Sequence, residues 1–169
     1  IGCVISNELL DAFPVHRVIG QLGSIKEIYI DLKDENLTEI VDQPSTPLLE
    51  ERMKELGIIL DDDQEAEINL YLDDWIKNIS ASVDTGYVIS IDYGYPANEL
   101  YSKSRIKGTL LCHYKHLSNR TPLIRVGEQD ITSHVDFSSI HYSAHMLLSL
   151  FDFLPNQLNV LRLHRPIPY

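Results

Sequence analysis

One stretch decides the fold of this chain: Gly86-Tyr-Val-Ile-Ser-Ile-Asp-Tyr-Gly-Tyr-Pro96. Residues 88–91 are dominated by β-branched apolar side chains, which predicts a strand buried on both faces, as in a parallel sheet. Polar groups and a glycine then follow together in Asp92-Tyr93-Gly94, and Pro96 ends the strand. Ligands of open α/β sheets bind at this carboxyl edge of the strands. The stretch therefore predicts either a ligand site after a buried strand or an ordinary tight turn.

A second apolar run, Ile1 to Ile5, also predicts a buried strand that ends in polar residues. A short helix is predicted from about Glu8 to Phe13, where Pro14 ends it. Glu8 and Asp11 are three residues apart and would share one face of that helix. Paired carboxylates can hold a cationic or amine substrate or accept a proton. A solvated helix face is the alternative interpretation.

The residues between these two strands, 14–83, are interpreted as an inserted lobe. Apolar runs and turn signals predict an antiparallel meander within residues 15–42. Helices are predicted from residues 43–47 to about Leu56, and from Leu70 to Val83. The acidic segment Asp61-Asp-Asp-Gln-Glu-Ala-Glu67 lacks the Asp-x-Asp-x-Asp-Gly spacing of a calcium loop. A solvated surface segment is predicted there.

Composition and charge limit the classes of function. The chain has 169 residues, enough for one domain with a good core. Its formal net charge of −11 argues against binding to nucleic-acid phosphates and to anionic membrane surfaces. No apolar run is long enough to span a bilayer. We therefore predict neither nucleic-acid binding nor membrane insertion.

The cysteine and histidine residues do not predict a metal site. Cys3 and Cys112 both lie in apolar runs, which predicts buried free thiols in a reducing compartment. Cys112 and His113 have no Cys-x-x-Cys partner for zinc. His141 and His145 have helical spacing, but the glutamate of a zinc hydrolase is missing between them.

Four segments of the chain together carry a family pattern: Ser6-Asn-Glu-Leu-Leu-Asp-Ala-Phe-Pro-Val-His-Arg17, Gly86–Pro96, Gly108-Thr-Leu-Leu-Cys-His-Tyr114 and Gln129-Asp-Ile-Thr-Ser-His-Val-Asp-Phe137. In this order and spacing they resemble the MidA family of S-adenosylmethionine-dependent methyltransferases. The family includes the mitochondrial assembly factor of respiratory complex I, which is similar to a protein arginine methyltransferase. Its bacterial members resemble this chain most.

The resemblance implies a class I methyltransferase fold, which is Rossmann-like: a partial, mainly parallel α/β sheet with an inserted antiparallel β plus helix substrate lobe. S-adenosylmethionine is the implied cofactor, and its methyl group would pass from a sulfonium to a nitrogen without a metal or a covalent nucleophile. That reaction needs alignment above all. The implied residues are Asn7, Glu8 and Asp11 at the catalytic centre, Asp92, Tyr93 and Gly94 against the cofactor, and Glu67, His113, Asp130, Thr132, His134 and Asp136 against the substrate, mostly on covering loops.

The resemblance divides the chain into a partial methyltransferase domain, residues 1–140, and a divergent tail, residues 141–169. The family's glycine-rich cofactor loop would precede Ile1, and the chain opens inside an apolar strand. We therefore interpret the chain as a C-terminal piece of a longer protein. From His141 onward the tail departs from the family's usual helix and closing strand.

The implied function is methylation of a protein side chain, such as arginine, by the parent protein. The implied location is the bacterial cytoplasm, or the mitochondrial matrix if the source is eukaryotic. An open sheet edge also predicts assembly into a homo-oligomer. The alternative is a non-catalytic acidic binding module or assembly factor that holds a partner's basic segment. The net charge of −11 and the missing glycine-rich loop favour this alternative.

Overall fold

The computed structural model of the chain describes residues 2–147 and 158–164. In chain order the described elements are β1 Gly2–Asn7, β2 His16–Gln21, β3 Ser24–Lys33, β4 Asn36–Asp42, α1 Leu48–Glu55, β5 Glu65–Ile68, α2 Tyr71–Ser82, β6 Thr85–Ile91, β7 Gly94–Tyr95, α3 Ala97–Leu100, β8 Leu111–Tyr114, β9 Leu117–Asn119, β10 Asp130–Thr132, β11 Val135–Asp136, α4 Phe137–Leu147 and β12 Leu158–His164. None of the helices in these residues is both long and apolar enough to cross a membrane.

The two strands predicted from the apolar runs form a parallel pair. β1 lies beside β6 with Gly2 opposite Gly86 and Asn7 opposite Ile91. β12 lies antiparallel on the other edge of β6, which gives the strand order β1-β6-β12. The predicted α/β fold with parallel core strands is confirmed, and pairing in the described sheet is mixed.

One face of this sheet is covered by helices. Val4 and Val88 pack with residues of α2 and α4, among them Leu72, Ile140 and Ala144. On the other face Ile5 is 68% exposed and Tyr87 is 48% exposed, and Cys3 is also exposed. Successive side chains of a strand alternate between its faces. The prediction of strands buried on both faces, and of a buried Cys3, is therefore wrong for the described chain, whereas Cys112 is buried as predicted.

The inserted segment forms a four-stranded sheet in the order β4-β3-β2-β5. Its antiparallel meander and the helices α1 and α2 lie close to the predicted bounds. The acidic segment differs from its prediction in its second half. Residues 61–63 are exposed, but β5 pairs with β2, and Ala66 and Ile68 pack against Val18 in the core. The two apolar side chains explain this, because an edge strand buries them while its acidic neighbours find polar partners.

A small antiparallel sheet, β10-β8-β9, lies after the core strands. Residues 117–119 pair with β8 as β9. α4 begins after Asp136 and continues through His141 to Leu147. The tail therefore contains the end of a helix and a strand, β12. The remaining tail residues, 148–157 and 165–169, lie outside the described residues, and the division at residue 141 stays a prediction.

A buried carboxylate on β3 connects β2 to the segment that follows β4. Glu27 is 5% exposed and accepts hydrogen bonds from His16 Nδ1 at 2.7 Å, from the Ser45 amide at 2.6 Å and from the Tyr29 hydroxyl at 3.0 Å. Burial opposes ionisation of Glu27, but these hydrogen bonds outweigh it and lower its pKa from 4.5 to about 2. The ionised side chain therefore stabilises the lobe.

Glu27→Gln is expected to lower the free energy of unfolding by about 2 kcal/mol at pH 7. Because the folded-state pKa lies below the ordinary value, the stabilisation is complete above about pH 4.5 and is lost as the pH falls towards 2. Urea unfolding at pH 7, 4.5 and 3 measures this, with exposed Glu35→Gln as the control. A difference in unfolding free energy between the Glu27→Gln variant and the wild type that does not shrink with falling pH would contradict the assignment.

Candidate active site

A cavity of about 430 Å³ lies where β1 and β6 end. Seven of the twelve predicted site residues line it, and they come from four separate parts of the chain. These seven are Glu8, Asp11, Tyr93, His113, Asp130, Thr132 and His134, and Leu111 and Ser133 complete the lining. The fold thus gathers three carboxylates and two histidines at the carboxyl edge of the parallel strands, the edge where α/β sheets bind ligands.

The segment that follows β1 is a turn, so the predicted helix over residues 8–13 is wrong. Glu8 has a φ of 46°, which is left-handed backbone that a helix cannot continue from. The Asp92 carboxylate accepts hydrogen bonds from the amides of Leu9 at 3.1 Å and Leu10 at 2.8 Å. This long-range bond fixes the turn, which still brings Glu8 and Asp11 to one cavity.

Asp11 is the most constrained carboxylate of the cavity. It is 7% exposed, and its Oδ1 atom is buried without a hydrogen-bond partner among the described residues. Burial raises the pKa of Asp11, and the nearby charges of Asp92 and Glu8 raise it further, whereas the backbone amides of Ala12 and Asp11 act in the opposite direction. A buried, unpaired carboxylate oxygen is unfavourable unless a ligand or an ordered water donates to it. Perturbed groups of this kind cluster at functional sites.

Glu8 and Tyr93 connect the ends of the two parallel strands. The Tyr93 hydroxyl donates a hydrogen bond of 2.9 Å to Glu8 Oε1. This bond and the charge of Glu8 raise the pKa of the Tyr93 hydroxyl. Tyr93 is 59% exposed, and Glu8 is exposed as well. Both side chains therefore remain accessible to a ligand that enters from the sheet edge.

The histidines and the Thr132 hydroxyl come from the small antiparallel sheet and the segment after it. His113 on β8 lies opposite Asp130 on β10, and its Nε2 atom is 3.4 Å from Thr132 Oγ1. These three residues lie on strands rather than on the expected loops. His134 follows β10; burial lowers its pKa, as do the charges of Arg105 and Arg120. The neutral form of His134 is therefore favoured.

Two of the three predicted cofactor residues, Asp92 and Gly94, contact the protein's own backbone. Both oxygens of Asp92 accept hydrogen bonds from amides, Oδ2 from Leu9 and Leu10 and Oδ1 from Tyr93. Gly94 pairs with Val135 in parallel, and a Cβ on Gly94 would overlap the Val135 carbonyl oxygen. The glycine is thus required by close packing of β7 on β11.

The remaining predicted residues lie outside the cavity lining. Glu67 is buried, and its Oε2 atom accepts hydrogen bonds from the Thr109 amide at 2.8 Å and from the Thr109 hydroxyl at 2.9 Å. Thr109 Oγ1 in turn accepts a bond from the His134 amide at 3.0 Å. Glu67 therefore positions the segment that carries His134.

Asp136 and Asn7 have simpler surroundings. Asp136 caps α4: its Oδ1 atom accepts from the Ser138 and Ser139 amides and its Oδ2 atom from the Ser139 hydroxyl. Burial raises the pKa of Asp136, although its hydrogen bonds act in the opposite direction. Asn7 is exposed at the end of β1.

Ser133 was not predicted, although it lines the cavity and its amide donates a 2.9 Å bond to the Asp11 carbonyl. The sequence feature that could have identified Ser133 is its position between Thr132 and His134 in one polar motif. A second cavity, of about 460 Å³, lies on the inserted lobe and has a largely apolar lining with Glu50 and Lys54. It gathers fewer ionisable groups, so the cavity beside Asp11 is the better candidate.

An α/β sheet with carboxylates gathered beyond the ends of its parallel strands defines a Rossmann-like ligand-binding domain. The sequence matches a family model over residues 1–153, and its description reads "Putative S-adenosyl-L-methionine-dependent methyltransferase". The chain belongs to this family. None of the curated proteins matches the sequence significantly.

Two solved structures from Burkholderia thailandensis share the fold. One is bound to S-adenosyl-homocysteine and matches with a TM-score of 0.78 and 31% identity, over 86% of this chain and 38% of its own. The other is a native structure of a protein from the same superfamily as the first. It matches with a TM-score of 0.78 and 33% identity, over 86% of this chain and 39% of the chain in that structure. The chain thus spans less than two-fifths of the length of either protein.

Proposed function

We propose that this chain forms the acceptor-binding part of an S-adenosylmethionine-dependent methyltransferase that acts on a cationic nitrogen of a protein side chain, such as the guanidinium of arginine. One observation carries the proposal: Asp11, beside the ends of the parallel strands, presents a buried carboxylate with an unpaired oxygen. A guanidinium would supply the missing donor in a charge-assisted hydrogen bond.

The charge of the cavity supports a cationic acceptor. Glu8, Asp11 and Asp130 bring three carboxylates to it, and His134, in its favoured neutral form, adds no positive charge. The formal net charge of −11 would also draw a basic protein towards the domain. A neutral acceptor would leave the charge of Asp11 uncompensated.

The residues at the strand ends fit a cationic cofactor in part. Asp92 and Gly94 contact the protein's own backbone. The remaining predicted residues at the ends of β1 and β6 are Asn7, Glu8 and Tyr93, and all three are exposed. When bound, S-adenosylmethionine supplies an electrophilic methyl group on a positively charged sulfonium. The carboxylate of Glu8 is the group of this chain that suits such a charge.

The cavity residues would act by orientation and by proton acceptance. Asp11 would hold the acceptor through a charged hydrogen bond, so that its nitrogen is aligned before transfer. His134, in its favoured neutral form, can take the proton that the acceptor nitrogen releases. Neither role needs a covalent intermediate.

Transfer of a radioactive methyl group by the full-length protein tests the proposal. Peptides that contain arginine, lysine or glutamine at one position serve as acceptors, and the glutamine peptide is the uncharged control. We expect label on a cationic side chain and none on glutamine. Absence of transfer to every cationic peptide would contradict the proposal. Binding of cationic peptides without transfer would instead favour a non-catalytic binding module.

A further inference from the structure

The backbone around His134 is fixed on both sides. The amide of the preceding residue, Ser133, donates to the Asp11 carbonyl at 2.9 Å, and the amide of the following residue donates to the Tyr93 carbonyl at 2.8 Å. The His134 amide itself donates to Thr109 Oγ1 at 3.0 Å. The backbone of His134 is therefore held at the edge of the cavity, and the side-chain torsions decide where its ring points.

Packing, rather than a hydrogen bond, orients the imidazole ring of His134 among the described residues. Its Nδ1 atom is buried and has no hydrogen-bond partner there, so Nε2 is the ring nitrogen that a molecule in the cavity can reach. A histidine that accepts a proton is usually oriented by a hydrogen bond to its second ring nitrogen. Here the ring of Tyr95 takes that place: the two ring centroids are 5.4 Å apart, with an interplanar angle of 42°.

Tyr95 is itself held by two other contacts. It lies on β7 and packs against the buried core of the inserted lobe. The guanidinium carbon of Arg105 lies 4.2 Å from the centroid of the Tyr95 ring, within the range of a cation–π interaction. Arg105 is fixed in turn, because its Nε atom donates to the Glu99 carbonyl at 3.2 Å. Arg105, Tyr95 and His134 therefore form one series of contacts that ends in the cavity.

Charges of both signs surround the imidazole of His134. Burial lowers its pKa, and the positive charges of Arg105 and Arg120 lower it further. The guanidinium of Arg120 donates to the backbone carbonyls of Lys107 and Gly108, whereas that of Arg105 lies on Tyr95. The other ionisable groups line the cavity together with the ring: Glu8, Asp11, Tyr93, His113 and Asp130. Carboxylates favour a charged imidazole, and the two arginines oppose it.

We propose that Tyr95 and Arg105 are positioning residues for His134: the tyrosine ring orients the imidazole, and the arginine holds the tyrosine ring and opposes a charge on the imidazole. This inference rests on the proposed function, in which His134 takes the proton that the acceptor nitrogen releases. Neither positioning residue belongs to the described cavity lining, so each acts through its neighbour rather than on the acceptor. An uncharged imidazole can accept a proton and does not repel a cationic acceptor.

The role of Arg105 is tested by nuclear magnetic resonance of the full-length protein labelled at histidine, in which His134→Gln assigns the signal of His134. Arg105→Gln should raise the pKa of His134, because it removes a nearby positive charge, and Arg105→Lys should keep it near the wild-type value. Arg125→Gln is the matched control, since Arg125 lies 4.5 Å from the centroid of the Tyr114 ring, outside the cavity lining, and the pKa should not change. This measurement needs no methyl transfer.

The role of Tyr95 is tested by initial rates of the full-length protein with the arginine peptide at pH 8. Tyr95→Leu should lower kcat by at least about tenfold and change the KM of the peptide by less than about twofold, because the acceptor still binds through Asp11. Tyr95→Phe retains the ring and should keep the wild-type kcat. Melting temperatures of both variants show whether each is folded under the conditions of the assay.

Arg105→Gln, at a half-buried position, still tests the inference if Tyr95→Leu does not fold. An unchanged pKa of His134 in Arg105→Gln would overturn the proposal. So would full kcat in a folded Tyr95→Leu, or an equal loss of kcat in Tyr95→Phe, since the ring would then not be what orients the imidazole. If the wild-type protein transfers no methyl group, the proposed function fails, and the titration of His134 alone decides the role of Arg105.

Discussion

Asp11→Asn is expected to lower kcat/KM for methyl transfer by about 30-fold, which corresponds to about 2 kcal/mol for a charged hydrogen bond to the acceptor. The substitution preserves the size of the side chain and removes its charge. The cavity would keep its shape but lose its most buried anion. Initial rates with the full-length protein and an arginine peptide measure the effect.

The same variant should melt at the wild-type temperature or higher. Burial and the charges of Asp92 and Glu8 raise the pKa of Asp11, so the ionised form is less favourable in the folded than in the unfolded chain. A raised folded-state pKa means that ionisation opposes folding as the pH rises through that pKa. Asparagine removes this penalty at pH 7. Lost activity with retained stability is the pattern of a functional residue.

Two further measurements make the Asp11 prediction sharper. The wild-type rate should fall on the acid side with a pKa above the ordinary 3.8 of aspartate, and this limb should be absent from Asp11→Asn. Asp34→Asn makes the same charge change at an exposed turn and should retain full activity. A stable, fully active Asp11→Asn would contradict the proposed role.

Gly94→Ala is expected to reduce the free energy of unfolding by at least about 3 kcal/mol, since it forces an atom into closely packed backbone. The added Cβ would overlap the carbonyl oxygen of Val135 and come within 2.9 Å of the Phe137 ring. The carbonyl cannot move away without separating β7 from β11. For a chain of this length the melting temperature should fall by roughly 10 °C.

Gly2→Ala is the matched control, because among the described residues its Cβ would meet only Val83, at an ordinary 3.4 Å. It should change the melting temperature by no more than about 2 °C. The result also separates two roles of Gly94. If Gly94→Ala kept its melting temperature and lost only affinity for S-adenosylmethionine, Gly94 would be a cofactor residue, and the packing interpretation would be wrong.

The sequence identified the sheet edge because two apolar runs each end in polar residues. That pattern survives folding, since parallel strands carry their carboxyl ends to one edge. The pattern predicted that Glu8, Asp11 and Tyr93 lie at one edge of the sheet, and these three residues line one cavity. The sequence predicted a helix after Glu8 instead of the observed turn, because that turn is fixed by hydrogen bonds to Asp92, more than eighty residues away along the chain.

The hydrogen-bond partners of three predicted carboxylates could not be inferred from the sequence. Glu67, Asp92 and Asp136 resemble ligand-binding residues in the sequence, yet each accepts hydrogen bonds from amides of its own chain. Nothing local distinguishes a carboxylate that caps a helix from one that awaits a ligand. The unpaired oxygen of Asp11 sets it apart from these three carboxylates, and only the three-dimensional structure reveals that difference.

The most direct test of the acceptor site is the structure of the full-length protein with S-adenosyl-homocysteine and an arginine peptide. The account predicts the guanidinium inside the cavity, about 3 Å from a carboxylate oxygen of Asp11. The sulfur of the cofactor should face the guanidinium nitrogen from the ends of β1 and β6. A guanidinium bound elsewhere, or a cofactor that itself fills the cavity beside Asp11, would contradict it.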